Sequence, residues 1–376
     1  MKLAVPKETA SGETRVAATP ESVKKFKSLS LDVTVETGAG EAAHIRDADY
    51  VAAGASMAPN AGSLLGDADI VLKVRGPNEA ESSQIKKGAI VAALLAPYSE
   101  KAAIAALADR GGVAFAMEFL PRISRAQAMD VLSSQANLAG YKAVIDAAAE
   151  FGRAMPMMMT AAGTIAPARV LVMGVGVAGL QAIATAKRLG AIVSATDVRP
   201  ATKEQVESLG GTFVAVMDEE FKNAQTAGGY AKEMSPEYQA KQAALIADTI
   251  KKQDIVITTA LIPGRKAPIL VSEEMVKSMK PGSVIVDLAG EQGGNTPLTK
   301  SGEVVTVHGV TIMGHANMPG RLAADASALY ARNLFNFVSL LVDKKTGQLA
   351  IDWNDEIIKG ALVTKDGSVV HPAAKS

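Results

Sequence analysis

The segment from Arg169 to Gly190 constrains the fold more than any other part of the chain. Its sequence, RVLVMGVGVAGLQAIATAKRLG, is an apolar run followed by Gly174, Gly176 and Gly179 and then by a helical pattern. A G-x-G-x-x-G motif that follows a strand and opens a helix is typical of a dinucleotide-binding βαβ unit. The first glycine permits the tight turn, the second lets the backbone approach a pyrophosphate, and the third allows close packing. The segment therefore predicts a doubly wound α/β domain that binds a dinucleotide.

The acidic residue after this turn indicates which dinucleotide is bound. Asp197 ends the next strand-like run, AIVSATD. A carboxylate at that position accepts hydrogen bonds from the adenine-ribose hydroxyls and repels the 2′-phosphate of NADP(H). Arg199, close behind it, could favour NADP(H) instead. Asp197 has the greater weight because it lies at the strand end itself, so the predicted cofactor is NAD(H).

Residues 130–316 continue this alternation of strands and helices. The strand-like runs are RVLVMG, AIVSATD, TFVAV, DIVITTA, SVIVDLA, VVTV and VTIMG, and helical patterns separate most of them. This order is typical of a doubly wound, mostly parallel sheet. We therefore predict a Rossmann domain over residues 130–316, which begins with one long helix over residues 130–150.

Residues 1–129 predict a second α/β domain. The short apolar runs KLAV, DVTVET, DIVLKV, AIVAALL and GVAFAME are typical of buried parallel strands. The segment TPESVKKFKSL predicts a helix that Thr19 caps and Pro20 begins.

Residues 317–376 are expected to return to the N-terminal domain. They contain an apolar helix, ADASALYARNLFNFVSLLV, and a tail over 349–371 with the pattern of a hairpin that turns at Asp366 and Gly367. The predicted fold class is therefore α/β, with two Rossmann-like domains that contain parallel sheets and are joined by long helices.

The composition excludes several kinds of site. Lys plus Arg and Asp plus Glu both number 39, so the formal charge is zero and no basic excess suggests a nucleic-acid partner. Cysteine is absent, which excludes disulfides, thiol nucleophiles and thiolate metal sites. None of the four histidines is paired at the spacing of metal ligands, so no metal is predicted.

Neither a signal peptide nor a membrane span is predicted. The N-terminus MKLAVPKETA lacks the apolar core of a signal peptide, so we expect the protein to start at or near Met1 in the cytoplasm. The uncharged segment from Val170 to Ala186 contains three glycines. It is also short for a bilayer span of roughly 20 residues.

Two stretches admit a structural or a functional interpretation, and the residues alone favour the structural one. In PRISRAQAMDVLSSQAN, Ser124 and Gln127 have the spacing of a capping box, yet the two arginines and the aspartate can also form a binding site. In AQTAGGYAKEMSPEYQ, Tyr230 lies beside paired glycines, which suits a variable surface loop or a cofactor lid. TTALIPG and DLAGEQGGN follow strands at the sheet edge where ligands bind in open α/β folds, and for Ala260 and Leu261 the residues favour ligand contact and simple loop packing equally.

Several motifs together resemble domain I of the proton-translocating nicotinamide nucleotide transhydrogenases. These motifs are PRISRAQAMDVLSSQANLAGY, MGVGVAGLQAIATAKRLGA, TDVR, ESLGG, AGGYAKEMS, TALIPG and PGSVIVDLA. The resemblance runs along nearly the whole chain, and alanine dehydrogenase is a relative of similar two-domain layout. It implies that NAD(H) binds in the cleft between the two domains of the chain, and that the chain forms a homodimer.

The resemblance also implies partners and an activity. An NADP(H)-binding domain and membrane-spanning subunits would be carried on other chains, and they would attach the homodimer to the inner face of the cytoplasmic membrane. Hydride would then pass directly between NAD(H) on this chain and NADP(H) on the partner domain, coupled to proton translocation.

The same resemblance assigns the residues of the site. It places Arg122, Gln127 and Asp130 at the nicotinamide as the catalytic group, with Ser133 close to the ligand. The other implied NAD(H) contacts are Gly174, Gly176, Val177, Ala178 and Gly179 in the pyrophosphate turn, Asp197 and Val198 at the ribose, Gly229 and Tyr230 in a mobile loop, and Ala260 and Leu261 at a strand end.

An alanine dehydrogenase-like oxidoreductase is the alternative. The substrate-binding arginine and lysine of that enzyme match Arg15 and Lys73, but its catalytic histidine would lie in AIVAALLAP, where this chain has Leu94 or a neighbouring residue. Oxidative deamination needs a proton donor and acceptor, whereas hydride exchange between two nicotinamides needs none. We therefore predict a transhydrogenase component in which Arg15 and Lys73 pair with acidic residues. A nucleotide-binding regulatory subunit without chemistry is a second alternative.

Overall fold

The computed structural model describes residues 1–224 and 234–375 and divides into two compact units. Unit 1 contains Met1–Gln135 and the segment from Pro319 to the C-terminus, and unit 2 contains Ala136–Met318. Each unit has its own large, mostly parallel sheet with helices between the strands. This organisation confirms the predicted α/β fold class.

The N-terminal portion of unit 1 alternates strands and helices. Its elements are β1 (Lys2–Val5), α1 (Pro20–Ser28), β2 (Asp32–Glu36), α2 (Asp47–Ala52), β3 (Ser56–Ala58), α3 (Ala61–Leu65), β4 (Ile70–Arg75), α4 (Glu79–Gln84), β5 (Ile90–Leu94), α5 (Lys101–Asp109) and β6 (Val113–Ala116). The predicted cap of α1 is confirmed, because the side chain of Thr19 accepts a hydrogen bond from the Ser22 N–H and Pro20 begins the helix.

A long helix, α6 (Val131–Glu150), begins in unit 1 and ends in unit 2. The following elements are β7 (Met158–Thr160), β8 (Gly163–Ile165), β9 (Arg169–Met173), α7 (Val177–Arg188), β10 (Ile192–Thr196), α8 (Thr202–Ser208), β11 (Thr212–Phe213), α9 (Glu219–Lys222), α10 (Pro236–Ile250), β12 (Ile255–Thr258), α11 (Glu273–Ser278), β13 (Val284–Asp287), β14 (Val304–Val307) and β15 (Val310–Met313). The C-terminal elements are α12 (Ala323–Val338), α13 (Glu356–Ala361), β16 (Leu362–Lys365), β17 (Ser368–Val369) and α14 (Pro372–Lys375). Among the residues that the structure describes, no helix is long and apolar enough to cross a membrane.

The sheet of unit 1 has eight strands in the order β17-β16-β6-β5-β4-β1-β2-β3. Strands β1 to β6 pair in parallel with one another, as predicted for all of them except β3, for which no strand was predicted. Strand β16 pairs antiparallel with β6 and with β17. Successive residues of β4 face opposite sides of the sheet, so Ile70 and Leu72 lie in one core and Val71 lies in the other. Both faces of the sheet are therefore buried.

Helix α12 belongs to unit 1. On its buried face, Tyr330, Leu334 and Phe337 lie in the core of that unit. The ring centroids of Phe337 and Phe115 are 5.1 Å apart in an edge-to-face arrangement. The Tyr330 hydroxyl donates a hydrogen bond to the carbonyl of Lys73 at 2.9 Å, which joins α12 to β4.

The C-terminal hairpin turns at Asp366 and Gly367, as predicted. Their φ angles of 52° and 76° are typical of a type I′ turn. The hairpin is shorter than predicted, because the chain before β16 forms α13. Asp355 begins this helix by accepting a hydrogen bond from the Ile357 N–H, and Ile357 is fully buried, so capping and core packing favour a helix there.

The sheet of unit 2 has seven strands in the order β11-β10-β9-β12-β13-β15-β14. They correspond to the seven predicted runs, although only Thr212 and Phe213 of TFVAV form a strand. All neighbours are parallel except β14 and β15. The strand order reverses between β9 and β12, and Met173 at the end of β9 pairs with both Thr196 and Thr258. Open α/β sheets bind their ligands at such a switch point.

A separate two-stranded sheet, β7 with β8, forms an antiparallel hairpin that we did not predict. Residues 156–166 are all exposed, and the side chains of Met157 and Met159 are 58% and 77% exposed. Three consecutive methionines have neither the alternation nor the β-branching that marks a strand, which explains why the sequence did not reveal it.

Candidate dinucleotide-binding site

A glycine turn joins β9 to α7 at the switch point of unit 2. Gly174 has a φ of 101°, which glycine adopts readily, and its N–H donates to the Thr196 carbonyl at 2.9 Å. Gly176 is the N-cap of α7, and no side chain of the described residues caps this end of the helix. The first amides of α7 are therefore available to an anion, and the helix dipole adds positive potential there.

The three glycines of the motif meet different steric requirements. A Cβ at Gly179 would lie 1.9 Å from the Gly174 carbonyl oxygen, and a Cβ at Gly174 would lie 2.4 Å from Thr259 Oγ1. A Cβ at Gly176 would have no neighbouring atom within 4 Å. Packing within the protein thus requires Gly174 and Gly179, whereas the space beside Gly176 is open and can receive a pyrophosphate.

Gly140 of α6 belongs to the same packing, although no motif marks it in the sequence. A Cβ at Gly140 would lie 2.0 Å from the carbonyl oxygen of Ala178, so α6 and α7 approach through their backbones. Ala139 and Ala143 flank it at helical spacing, and both are buried. This stripe of small residues was the only sequence signal for the close contact.

Asp197 lies at the carboxyl end of β10, beside the glycine turn. Its Oδ2 accepts a hydrogen bond from the Val175 N–H at 2.7 Å. Arg199 donates to both carboxylate oxygens, from Nε to Oδ1 at 2.9 Å and from Nη2 to Oδ2 at 2.8 Å. Burial alone would raise the pKa of Asp197, but the hydrogen bonds from Arg199 and Val175 outweigh it and lower that pKa. Asp197 therefore stays ionised, with its charge balanced by Arg199.

The loop after β12 is bonded to the glycine turn. The Thr259 N–H donates to the Met173 carbonyl at 2.9 Å, and Thr259 Oγ1 donates to the Gly174 carbonyl at 3.0 Å. Ala260 and Leu261 follow directly, and Leu261 is 48% exposed. Thr259 is a contact that sequence reasoning missed, since only the loop as a whole was expected at this edge.

Unit 2 thus brings three predicted segments together, because β9, β10 and β12 end at the same edge of the sheet. Val177, Val198 and Leu261 present exposed apolar side chains near the turn, and Ala178 is half-buried. The predicted residues at this edge are Gly174, Gly176, Val177, Ala178, Gly179, Asp197, Val198, Ala260 and Leu261. Gly229 and Tyr230 lie outside the residues that the structure describes.

The predicted nicotinamide group lies in unit 1. Arg122 and Gln127 are exposed, and residues Ser124–Met129 form a 3₁₀ helix without a side-chain cap, so the expected Ser124–Gln127 capping box is absent from this described segment. Asp130 caps α6 instead, because its carboxylate accepts from the Ser133 N–H at 2.9 Å and from the Ser133 hydroxyl at 2.5 Å.

The other arginine of this segment, Arg125, has a structural contact. Its Nη1 and Nη2 donate to the Asp355 carboxylate at 2.6 Å and 2.8 Å. This bidentate pair anchors the segment to the N-terminus of α13, so the two arginines of PRISRAQ differ in role. Arg122, which is exposed, is the one available to a ligand.

Arg15 and Lys73 are buried and paired with acidic side chains, as expected. Arg15 Nη2 lies 2.7 Å from Glu13 Oε2, and Arg15 Nη1 donates to Gln135 Oε1 at 2.9 Å. Lys73 Nζ lies 2.9 Å from Glu81 Oε1 and 3.6 Å from Glu8 Oε2. The side chains of Arg15 and Lys73 are only 3% and 1% exposed, so both cations are committed to contacts within unit 1.

Two of the acids beside these cations, Glu8 and Glu13, have opposite pKa shifts. Burial raises the pKa of Glu8 to about 7, although Lys73 and the backbone amides of Val74 and Arg75 oppose the shift. Burial also acts to raise the pKa of Glu13, but its hydrogen bonds and ion pair with Arg15 lower it to about 2. Glu13 is therefore firmly ionised, whereas Glu8 titrates near neutrality.

Models of both halves of one family match the chain. The model described as Alanine dehydrogenase/PNT, N-terminal domain, matches residues 4–139, and the model described as Alanine dehydrogenase/PNT, C-terminal domain, matches residues 143–372. These two matches cover most of both units.

Named relatives match almost the whole chain. It is 58% identical to an NAD(P) transhydrogenase subunit alpha chain of Rhodospirillum rubrum, over 99% of this chain and 98% of the relative. The crystal structure of transhydrogenase from Sinorhizobium meliloti superposes with a TM-score of 0.90 at 55% identity, covering 98% of this chain and 100% of that chain. The alanine dehydrogenase of Mycobacterium tuberculosis is 31% identical over 98% of this chain and 95% of the relative.

Proposed function

Because the chain belongs to the alanine dehydrogenase/PNT family, we propose that it is the NAD(H)-binding component of a proton-translocating transhydrogenase. Its similarity to the Rhodospirillum rubrum protein, along nearly the full length of both chains, makes it a transhydrogenase component that works with NAD(H) and NADP(H). We further propose that the residues named below form the NAD(H) site. We also propose that the complete assembly transfers hydride directly between the two nucleotides and couples this transfer to proton translocation.

The open space at Gly176 is the observation that carries the proposed site. Gly174 and Gly179 are accounted for by packing, but nothing in the described ranges 1–224 and 234–375 requires a glycine at position 176, where a Cβ would meet no neighbouring atom within 4 Å. The uncapped first turn of α7 and the ionised carboxylate of Asp197 border the same edge of the sheet. This combination suits a pyrophosphate at the helix N-terminus and a ribose at Asp197.

The role of the protein in the reaction is positional. Bound NAD(H) supplies or accepts the hydride at its nicotinamide, and NADP(H) on a partner domain is the other reactant. Arg122 binds the carboxamide or nearby phosphates, and Gln127 and Asp130 orient the ring, with Ser133 beside it. These residues act by alignment and exclusion of water, since hydride exchange between nicotinamides leaves no heteroatom to protonate.

The assembly needs further chains. We propose that an NADP(H)-binding domain and membrane-spanning subunits bind this protein at the inner face of the cytoplasmic membrane. Proton translocation takes place in those membrane subunits, and this chain contributes the NAD(H) side of the reaction.

A homodimer is also included in the proposal, and the β7–β8 hairpin supports it. An isolated two-stranded sheet is marginally stable in water. This hairpin nevertheless exposes Met157, Met158, Met159 and Ile165. Contact with a second copy of the chain would bury these side chains and stabilise the hairpin.

Replacement of Gly176 by alanine tests the proposed NAD(H) site. Its backbone, with φ of −81° and ψ of −165°, accepts any residue, and the methyl group has room, so the free energy of unfolding is expected to change by less than about 0.5 kcal/mol. The methyl group occupies the space of the pyrophosphate, so the Kd for NADH is expected to rise at least about tenfold. NADH fluorescence titration and urea unfolding measure the two quantities.

Gly152→Ala is the matched control. It also has no neighbouring atom within 4 Å of the added Cβ, but it lies beyond the end of α6. This control is expected to leave both quantities unchanged. An unchanged Kd in Gly176→Ala would contradict the proposed site.

Substitutions at Arg122 and Asp130 test the positional role. Asn is as good a helix cap as Asp, so Asp130→Asn retains the start of α6 while removing the charge. We expect Asp130→Asn and Arg122→Ala to lower hydride transfer to a partner-bound NADP⁺ by at least about tenfold and to raise the Kd for NADH less than about threefold. Equal losses in rate and affinity would show that these residues only bind.

An alanine dehydrogenase-like activity is less well supported. Strand β5 contains no histidine, and Arg15 and Lys73 are held in ion pairs within unit 1. The pure chain is therefore expected to show no turnover of L-alanine with NAD⁺, and to support hydride exchange only when the NADP(H)-binding partner domain is added. Reduction of NAD⁺ by L-alanine would favour the alternative.

A further inference from the structure

One buried side chain, Asn295, holds the loop after β12. Its Oδ1 accepts a hydrogen bond from the Ala260 N–H at 3.1 Å, and its Nδ2 donates to the carbonyls of Ala260 and Pro268, each at 2.8 Å. Asn295 is 0% exposed. A single amide group thus pairs both backbone polar groups of Ala260, as a neighbouring strand would.

Asn295 is itself held in place by a hydrogen bond to Asp287, the last residue of β13. Asp287 is 0% exposed, and its Oδ2 accepts from the Asn295 N–H at 2.7 Å. The carboxylate also accepts from the Ala289 N–H and from the Thr299 hydroxyl. The loop that carries Asn295 is therefore organised around one buried carboxylate.

The same contacts continue to the glycine turn. Ala260 follows Thr259, whose hydroxyl donates to the Gly174 carbonyl at 3.0 Å. The segment from Thr259 to Pro268 contains neither helix nor strand, so these side-chain hydrogen bonds, together with a few backbone ones, hold its geometry. A connected series of contacts thus runs from Asp287 through Asn295 and the loop to Gly174.

We propose that Asn295 is a positioning residue for NAD(H), which fixes Ala260 and, through Thr259, the glycine turn in the geometry that receives the dinucleotide. The inference rests on the proposed NAD(H) site. Asn295 acts through the loop and does not touch the cofactor, because its side chain is fully buried. An apolar residue would fill the same space but would leave both polar groups of Ala260 without a partner.

Asn295→Ala tests this role against a matched control, Gln253→Ala. Gln253 is also a buried amide in unit 2, where it donates to the Thr249 carbonyl at 3.1 Å, but it precedes β12 at the opposite edge of the sheet. NADH titration of the full-length chain is carried out under conditions in which circular dichroism shows each variant to be folded. Asn295→Ala is expected to raise the Kd for NADH about tenfold, as loss of a buried hydrogen-bonding group implies, and Gln253→Ala less than about twofold.

Asn295→Asp provides a second test with a pH profile. An ionised carboxylate accepts from the Ala260 N–H but repels the Ala260 and Pro268 carbonyls, whereas a protonated carboxyl donates to the Ala260 carbonyl and restores the paired geometry. Burial and the nearby Asp287 favour the protonated form at this position. The Kd of Asn295→Asp for NADH is therefore expected to fall toward the wild-type value as the pH is lowered from about 8 to about 6. The wild-type Kd is expected to vary less than about twofold over the same range, because Asp197 stays ionised.

The outcomes distinguish this inference from the proposed function. If the wild-type chain does not bind NADH, the proposed function is wrong and the inference loses its basis. If the wild type binds NADH but Asn295→Ala matches Gln253→Ala, or Asn295→Asp has a flat profile at wild-type affinity, only the positioning role is overturned. Should Asn295→Ala fail to fold, the pH profile of Asn295→Asp decides the question.

Discussion

Buried charges in unit 1 determine how single residues respond to pH. Glu8 and Glu13 both lie close to buried cations, yet only Glu13 has a short, bidentate partner in Arg15. Glu8 is 3.6 Å from a lysine that already pairs with Glu81 at 2.9 Å. The charge of Lys73 and the backbone amides of Val74 and Arg75 only partly offset the burial of Glu8, and the negative charge of Glu13 adds to the rise in its pKa.

The raised pKa of Glu8 predicts a loss of stability as the pH rises. The folded protein keeps the Glu8 proton up to about pH 7, whereas the ordinary pKa is 4.5, so the folded state binds more protons between these values and stability falls across this window. Glu8→Gln is expected to remove this decline, which is on the order of 3 kcal/mol. Urea unfolding of both proteins at intervals from pH 5 to pH 8 measures the difference.

Glu13 provides the opposite dependence. Because its folded pKa is about 2, its contribution to stability is present above the ordinary pKa of 4.5 and is lost as the pH falls toward 2.

The assignment of the decline to Glu8 can be contradicted directly. A decline in stability between pH 5 and 8 that is equally steep in the wild type and in Glu8→Gln would contradict it.

Among the elements, α6 and α7 meet at a backbone contact that bears on the site. Alanine at position 140 would bring its Cβ to 2.0 Å from the Ala178 carbonyl oxygen, and neither backbone can move away alone. Gly140→Ala is therefore expected to destabilise the protein by about 1–3 kcal/mol and to weaken NADH binding, because it displaces the N-terminus of α7. Urea unfolding and NADH titration measure both effects.

Gly152→Ala, just beyond the end of α6, is again the control for the added methyl group, since its Cβ meets no neighbouring atom within 4 Å. Stability of Gly140→Ala equal to that of Gly152→Ala would show that the two helices can separate freely.

The predictability of an element depended on its length and its burial. The buried strands β4, β5, β9, β12 and β13 are mostly apolar, although Lys73 interrupts β4, and the sequence marked each of them. Helices α2, α3 and α4 have only five or six residues, which is too short for a helical period to stand out. The cap of α6 also differs from the expected one. The spacing suggested a cap at Ser124, but Ser124–Met129 form a 3₁₀ helix and Asp130 caps α6.

For the whole molecule, the exposed hairpin predicts self-association. Met157→Ser combined with Met159→Ser removes apolar side chains that are 58% and 77% exposed. We expect the wild type to sediment as a dimer and this variant as a monomer at micromolar concentration, with the Kd for NADH unchanged, because the hairpin lies outside the glycine turn. Analytical ultracentrifugation measures the change in mass.

A matched variant carries Ile269→Ser and Val304→Ser, which remove two exposed apolar side chains elsewhere on unit 2. It is expected to stay dimeric. A monomeric wild type, or dissociation of both variants alike, would contradict a contact through the hairpin.

The sequence by itself determined the α/β fold, the glycine turn and the position of Asp197 at a strand end. Each of these depends on spacing within one strand, one helix or one βα turn, and local spacing is visible along the chain. Only the tertiary structure decided that Gly140 meets Ala178, that Lys73 pairs with Glu81, and that Asn295 pairs with Ala260. Such contacts join different elements or loops, so they depend on how the sheets and helices pack and not on the pattern within one element.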